Sequence, residues 1–273
     1  MPLKSSPCVV IAGSGDVGGR LAALRAGLGD QVIAVRRRDV EPGTGIRALR
    51  ADLATGDGLD RLPRRPDSVV FCAAPDQRNE AAYRALYLDG LRRLLDACDA
   101  RRVLFVSSTA VYGEDAGEWV DEATPARPPA FNGRVLLEAE HALAPHAGGV
   151  VLRLSGIYGP GREAMLRRAR AGEANRPHWS NRIHVEDAAM ALSFLLDLDA
   201  PQRLYLGNDD CPAREDEIMA WVRAKEGLPA LPLATGTETG RRISNARLRA
   251  AGWSPRFPDF GAGYTPLLAG AGV

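Results

Sequence analysis

The chain has 273 residues, 45% of them apolar and 25% charged, with a formal net charge of +1. That is enough to bury the core of one large domain, or of a domain with an appended lobe, and the near-neutral charge, with arginines scattered rather than interleaved with aromatics, argues against a nucleic-acid partner. No apolar stretch reaches membrane-spanning length and residues 1–7 hold no signal-peptide core, so no membrane is expected and the expected location is cytoplasmic.

Cys8 to Ala12 is an apolar run of strand length, followed by Gly13-Ser14-Gly15-Asp16-Val17-Gly18 and the helix-like Arg20-Leu21-Ala22-Ala23-Leu24. A strand, a glycine turn and a helix start bring backbone N–H groups and the positive end of a helix dipole to one spot, which suits a pyrophosphate. Gly13 permits the turn, Gly15 lets phosphates approach, and Gly18 lets the helix pack closely, with Ser14, Asp16 and Val17 between them. The next strand, Gln31 to Val35, runs into Arg36-Arg37-Arg38. An NAD-preferring site places an acid there to accept from the ribose 2′-OH. Guanidinium groups grip a 2′-phosphate instead, so Arg36 and Arg37 point to NADP, with NAD the alternative and Arg38 left to solvent. The plainer reading of the three arginines is a solvated basic turn, and Asp39, the nearest acid, comes late.

Strand-like and helix-like runs then alternate: Ile46 to Leu53, Ser68 to Ala74, a helix from Glu80 to Ala100 with a stripe of Leu86, Leu91, Leu94 and Leu95, then Val103 to Ser108, Val150 to Leu154, and Arg203 to Leu206. This alternation predicts an α/β fold, a Rossmann doubly wound parallel sheet with a smaller C-terminal substrate lobe. Residues 1–155 are expected to form the dinucleotide-binding domain, with elements around 182–208 completing its sheet. Residues 156–273 are expected to be mostly lobe, because Pro and Gly interrupt shorter elements there, as at Gly159-Pro160-Gly161 and Leu228 to Pro232. The end, Leu267 to Val273, is expected to be mobile. Cys8, Cys72, Cys98 and Cys211 read as free buried thiols, and four histidines without ligand spacing predict no metal.

Six landmarks in order resemble the extended short-chain dehydrogenase/reductases, which include the NAD-dependent epimerases and dehydratases: the glycine turn, Asp52-Leu53, Cys72 to Pro75, Val106 to Gly113, Arg153 to Gly161, and Arg182 to Ala189. The resemblance implies a Rossmann sheet, a nicotinamide cofactor and a substrate lobe. It also implies that Asp52 accepts from the adenine amino group, Leu53 packs on the adenine ring, and Ala73 and Ala74 line the adenosine side. Helix capping and tight packing are the plainer roles for these residues. Ser108 falls at the family's catalytic Ser/Thr position, with Thr109 adjacent.

The family's Tyr-x-x-x-Lys pair is where the resemblance breaks. Aligned on Leu-x-Ala-Glu, Arg134 takes the lysine position, and Ala130 or Phe131 the tyrosine position. Neither replaces a phenolic proton carrier, and an arginine binds ribose hydroxyls or phosphate without shuttling charge. The variant resembles an atypical branch of the family. Tyr112, Tyr158, His178 and Glu114 are the candidate substitutes, Tyr112 also being a natural packing residue. Glu186 and Asp187 read as complements of a helix N-terminus, and Arg162 as a possible anion contact. Two functions follow: an NADP-dependent oxidoreductase or epimerase-like enzyme for a small polar or sugar-like substrate, or a non-catalytic NADP-binding sensor. Retention of Ser108 favours the enzyme. A monomer, or a homodimer through Glu80 to Ala100 and Asn132 to Ala144, fits the pattern.

Overall fold

Runs of aliphatic residues with both faces covered belong in the middle of a parallel sheet. The computed structural model, in which residues 6–38, 43–173 and 176–270 are described, places β1 (Cys8–Ala12) there. A glycine turn leads into α1 (Asp16–Gly27) and then β2 (Gln31–Arg36). β3 (Ile46–Arg50) alternates Arg47 and Arg50 with apolar residues, leaves most of its length exposed, and forms the sheet edge. β4 (Ser68–Phe71) is buried throughout.

The helix predicted from Glu80 runs as α2 (Glu80–Tyr83), a π turn over Arg84–Asp89, and α3 (Gly90–Ala97), where it stops short of Ala100. Leu86, Leu91 and Leu94 are buried as expected and Leu88 joins them, whereas Leu95 is half-buried. The chain continues through β5 (Arg102–Ser108), β6 (Glu118–Val120), α4 (Phe131–Leu143), β7 (Gly149–Leu154) and β8 (Gly156–Tyr158). Then come α5 (Ala164–Ala171), β9 (His178–Ser180), β10 (Arg182–His184), α6 (Val185–Asp197), β11 (Leu204–Gly207) and β12 (Ala213–Arg214). The last elements are α7 (Glu215–Lys225), β13 (Thr239–Ile243), α8 (Ala246–Ala250) and α9 (Phe260–Leu268).

The main sheet has the order β11-β7-β5-β4-β1-β2-β3. From β1 the chain steps to β2 and β3 on one side, then crosses back to β4 on the other, so the order reverses at β1. In open α/β sheets the crevice at that reversal, beyond the carboxyl ends of the strands, is where ligands bind. The chain divides into two units. The first comprises 1–112, 126–153 and 189–205; the second comprises 113–125, 154–188 and 206–273. The second carries the parallel pair β10-β8, a four-stranded sheet β12-β9-β13-β6, and a core in which Tyr158, Leu166, Ile218, Met219 and Tyr264 meet.

Two expectations need correction. Helical structure extends through Leu268, into the stretch expected to be mobile; residues 271–273, like Asp39, lie outside the described residues. All four cysteines are free, but only Cys98 is buried, Cys211 being exposed. None of the described helices is long and apolar enough to cross a membrane.

Candidate functional site

The glycine turn after β1 joins that strand to α1 and is held against its neighbours. Gly13 sits at φ +100°, and a Cβ there would lie 2.4 Å from the Ala73 backbone, so only glycine lets the turn and the end of β4 meet. The Gly15 position faces open space. The amides of Gly13 and Ser14, however, both donate to the Val35 carbonyl, at 3.2 and 3.1 Å. They tie the turn to β2 rather than facing a phosphate. α1 starts without a side-chain cap at Gly15, so helix geometry leaves the leading amides of its first turn without an intrahelical acceptor. The Asp16 carboxylate pairs with Arg20 at 3.2 Å.

Arg36 folds back over this turn: its Nε donates to Ser14 Oγ at 2.7 Å, and its Nη2 lies 3.5 Å from where a Gly19 Cβ would stand. Arg37 forms a two-pronged pair with Asp76, Nη1 to Oδ2 at 2.5 Å and Nη2 to Oδ1 at 2.6 Å. Those bonds hold the Asp76 carboxyl below the usual carboxylate range. Arg38 is exposed. Asp52 spends Oδ1 on the Ala54 amide at 2.8 Å, closing a local turn. Leu53 is buried, Ala73 half-buried and Ala74 exposed. Nothing in the sequence marked Asp76, a loop residue outside any periodic pattern.

At the end of β5, half-buried Ser108 caps the turn Thr109–Val111, its Oγ accepting from the Ala110 amide at 3.2 Å. α4 starts against this turn because residue 133 is glycine: a Cβ there would come 2.3 Å from the Ala110 carbonyl oxygen. The Phe131 ring meets the Tyr83 ring edge-on at 5.4 Å, and exposed Arg134 donates to the Pro129 carbonyl at 3.3 Å.

Tyr112 lies inside the first unit. It is fully buried, and its hydroxyl accepts from Arg153 Nη1 at 2.7 Å. Arg153 in turn grips Glu140 through Nε (3.0 Å) and Nη2 (2.6 Å), and Ser107 Oγ donates to Glu140 Oε1 at 2.5 Å. This buried network was not foreseen, because its members lie on β5, α4 and β7 with no short spacing between them. Through Arg153 and Glu140 the network links Tyr112 to β7 and α4.

In the second unit the remaining candidates separate by their partners. Tyr158 is buried, its ring 5.3 Å from His184 and 4.7 Å from Tyr264, and its hydroxyl reaches the Asp259 carbonyl at 3.5 Å. Burial, then the nearby Asp209 charge, push this phenol well above its ordinary range. His178 Nδ1 lies 2.9 Å from Thr239 Oγ1. Glu186 and Asp187 both stand in the first turn of α6, as their position suggested, and Asp187 also accepts from the amides of Arg256 (2.7 Å) and Phe257 (3.0 Å), clamping the chain before α9. Glu114 Oε2 has no hydrogen-bond partner among the described residues. Asp209, which drew no attention in the sequence, is fully buried with Oδ2 unpartnered among the described residues, and burial pushes its carboxyl up to about 8 even though Arg182 pulls it down.

The sequence profile of the NAD dependent epimerase/dehydratase family matches residues 8–207. The Protein YeeZ of Escherichia coli (strain K12) is 30% identical over 213 residues, which span 74% of this chain and 76% of YeeZ. A solved structure from Methylobacillus flagellatus, provisionally described as an NAD-dependent epimerase/dehydratase, superposes with a TM-score of 0.85 at 36% identity, covering 97% of this chain and 99% of the other. The Bordetella bronchiseptica enzyme WbmG, solved in complex with NAD and UDP, shares the fold with a TM-score of 0.80 at 19% identity, over 98% of this chain and 95% of its own.

Proposed function

This chain belongs to the NAD-dependent epimerase/dehydratase family, and on that premise we propose that it is a nicotinamide-dependent oxidoreductase or epimerase-like enzyme, NADP-preferring, acting on a small polar or sugar-like substrate. The observation that carries this reading is the turn after β1. Gly13 is held at φ +100° against Ala73, the Gly15 face is open, and the first amides of α1 are uncapped, which is a cradle for linked phosphates. A nicotinamide dinucleotide held there would supply hydride chemistry.

This chain's own residues divide the remaining work. The amides of Asp16, Val17 and Gly18 face the pyrophosphate, and Arg36, steadied by Ser14, presents its terminal nitrogens to a 2′-phosphate. Asp52 keeps Oδ2 for the adenine amino group, while Leu53, Ala73 and Ala74 bound the adenosine side. Arg134 binds ribose hydroxyls in place of the family's lysine. Ser108 hydrogen-bonds the reacting oxygen of the substrate; Thr109 stands beside it as the second hydroxyl. UDP bound to WbmG beside NAD supports nucleotide-linked sugars as the first substrates to try.

NAD is the second cofactor reading, favoured by its presence in that fold-mate. A non-catalytic NADP-binding sensor is the second functional reading, favoured by Ala130 or Phe131 standing at the start of α4 where the family carries its phenol. With NADPH and a panel of aldehydes, ketones and nucleotide-linked sugars, turnover is expected for one class. Ser108→Ala is expected to lower kcat by about 10²-fold or more. Silence across the panel, with NADP still bound, overturns the enzyme in favour of the sensor.

A further inference from the structure

Arg37 follows the last residue of β2, and Asp76 lies five residues past the end of β4. β1 runs between those two strands. With neighbouring strands about 4.8 Å apart, the ends of β2 and β4 stand roughly 10 Å from each other, so the pair joining Arg37 to Asp76 must pass over the carboxyl end of β1. That is where Gly13 turns the chain and packs on Ala73. Two further charges fix the place. The Asp52 carboxylate falls within electrostatic reach of Arg37, and Arg38 within reach of Asp76. On the cofactor reading, in which Asp52 meets the adenine, the bridge belongs to the adenosine end of the cradle.

The pair also has the chemistry of a stand-in. Both guanidinium nitrogens meet both carboxylate oxygens, at 2.5 and 2.6 Å, the fork geometry in which arginine holds a phosphate. Both side chains are largely open to water, 50% and 62% exposed, and an exposed ion pair is a weak closure that a doubly charged anion outcompetes. Arg36 differs: its Nε donates to the Ser14 hydroxyl rather than to a carboxylate.

Resting on the cofactor reading above, we propose that Asp76 is an internal competitor for the cofactor's 2′-phosphate: it straps Arg37 across the adenosine end of the cleft, and NADP opens the strap by exchanging its phosphate for the Asp76 carboxylate, whereas NAD has nothing to exchange. Asp76 is thus a specificity-determining residue that restrains the NADP preference set by the arginines. Its removal sharpens that preference without adding a contact, because the fraction of molecules with Arg37 already released rises.

The test is calorimetric titration of the full chain with NADP and with NAD, for the parent, Asp76→Asn and Arg37→Ala. Asp76→Asn is expected to tighten NADP by about threefold to fivefold and to leave NAD within about twofold. Arg37→Ala is expected to weaken NADP, and the double variant to behave like Arg37→Ala alone, since Asp76 acts only through Arg37. If both nucleotides bind and their affinity ratio is unchanged in Asp76→Asn, or if the gain survives in the double variant, the strap is overturned and the cofactor reading stands. If neither nucleotide binds the parent, the cofactor reading falls and takes the strap with it.

Discussion

Among single residues, Asp209 carries the clearest linkage between charge and folding. Its carboxyl is buried with one oxygen unpartnered among the described residues, and its folded value of about 8 stands above the roughly 3.9 of an unfolded Asp. A carboxyl raised on folding favours the folded state while it keeps its proton. That contribution is full below about pH 4 and drains away as pH rises, until the folded group ionises near pH 8. Urea titrations of Asp209→Asn against the parent should show the variant gaining relative stability from pH 4 upward and levelling beyond pH 8. Parallel pH dependences would refute it. The sequence did not expose this residue, because an aspartate after Gly207-Asn208 looks like any loop acid until the chain closes over it. Tyr112 shows the same gap from the other side: its place after Ser108 made it a candidate proton donor, and nothing in the sequence pointed to its bond to Arg153.

At the level of elements, the start of α4 shows how local glycine decides packing. Gly133 brings the helix onto the turn after β5, and further along the same helix Glu140 ties β5 and β7 together through Ser107 and Arg153. Arg153 and Glu140 are each less than one-tenth exposed. Removing one partner of such a pair strands a buried charge, so Glu140→Gln is expected to cost about 3–5 kcal/mol in chemical denaturation. A loss below about 1 kcal/mol would show that water relieves the arginine. α4 was expected only from the family resemblance, whereas β1, α1, β2 and the stripe Leu86, Leu91 and Leu94 were legible in the sequence, because periodicity of apolar residues reports which face is covered. The π turn at Arg84–Asp89 was not, since an extra residue in a helix leaves the apolar spacing nearly unchanged.

For the molecule as a whole, the two units divide the chemistry and its optical reporters. All four tryptophans, Trp119, Trp179, Trp221 and Trp253, fall in the second unit, while the glycine turn and its arginines fall in the first. Calorimetric melting of the full chain follows cofactor binding directly. NADP at a hundredfold excess over its Kd should stabilise the folded chain by about 2.7 kcal/mol, a shift of roughly 5–10 °C for a protein of this size. Arg36→Asp should abolish the advantage of NADP over NAD, because a carboxylate at the end of β2 repels the 2′-phosphate. No shift with either nucleotide would contradict the cofactor reading. By itself the sequence determined the alternating α/β plan, the glycine turn and the arginines after β2, because strand and helix periods and a short glycine spacing are local properties of the chain. Only the folded chain decided what those groups do to one another: that Gly13 and Ser14 spend their amides on Val35, that Tyr112 is locked to Arg153, and that Asp76 holds Arg37. These are partnerships between residues distant in sequence, and no local pattern records which side chains a sheet brings within hydrogen-bond reach.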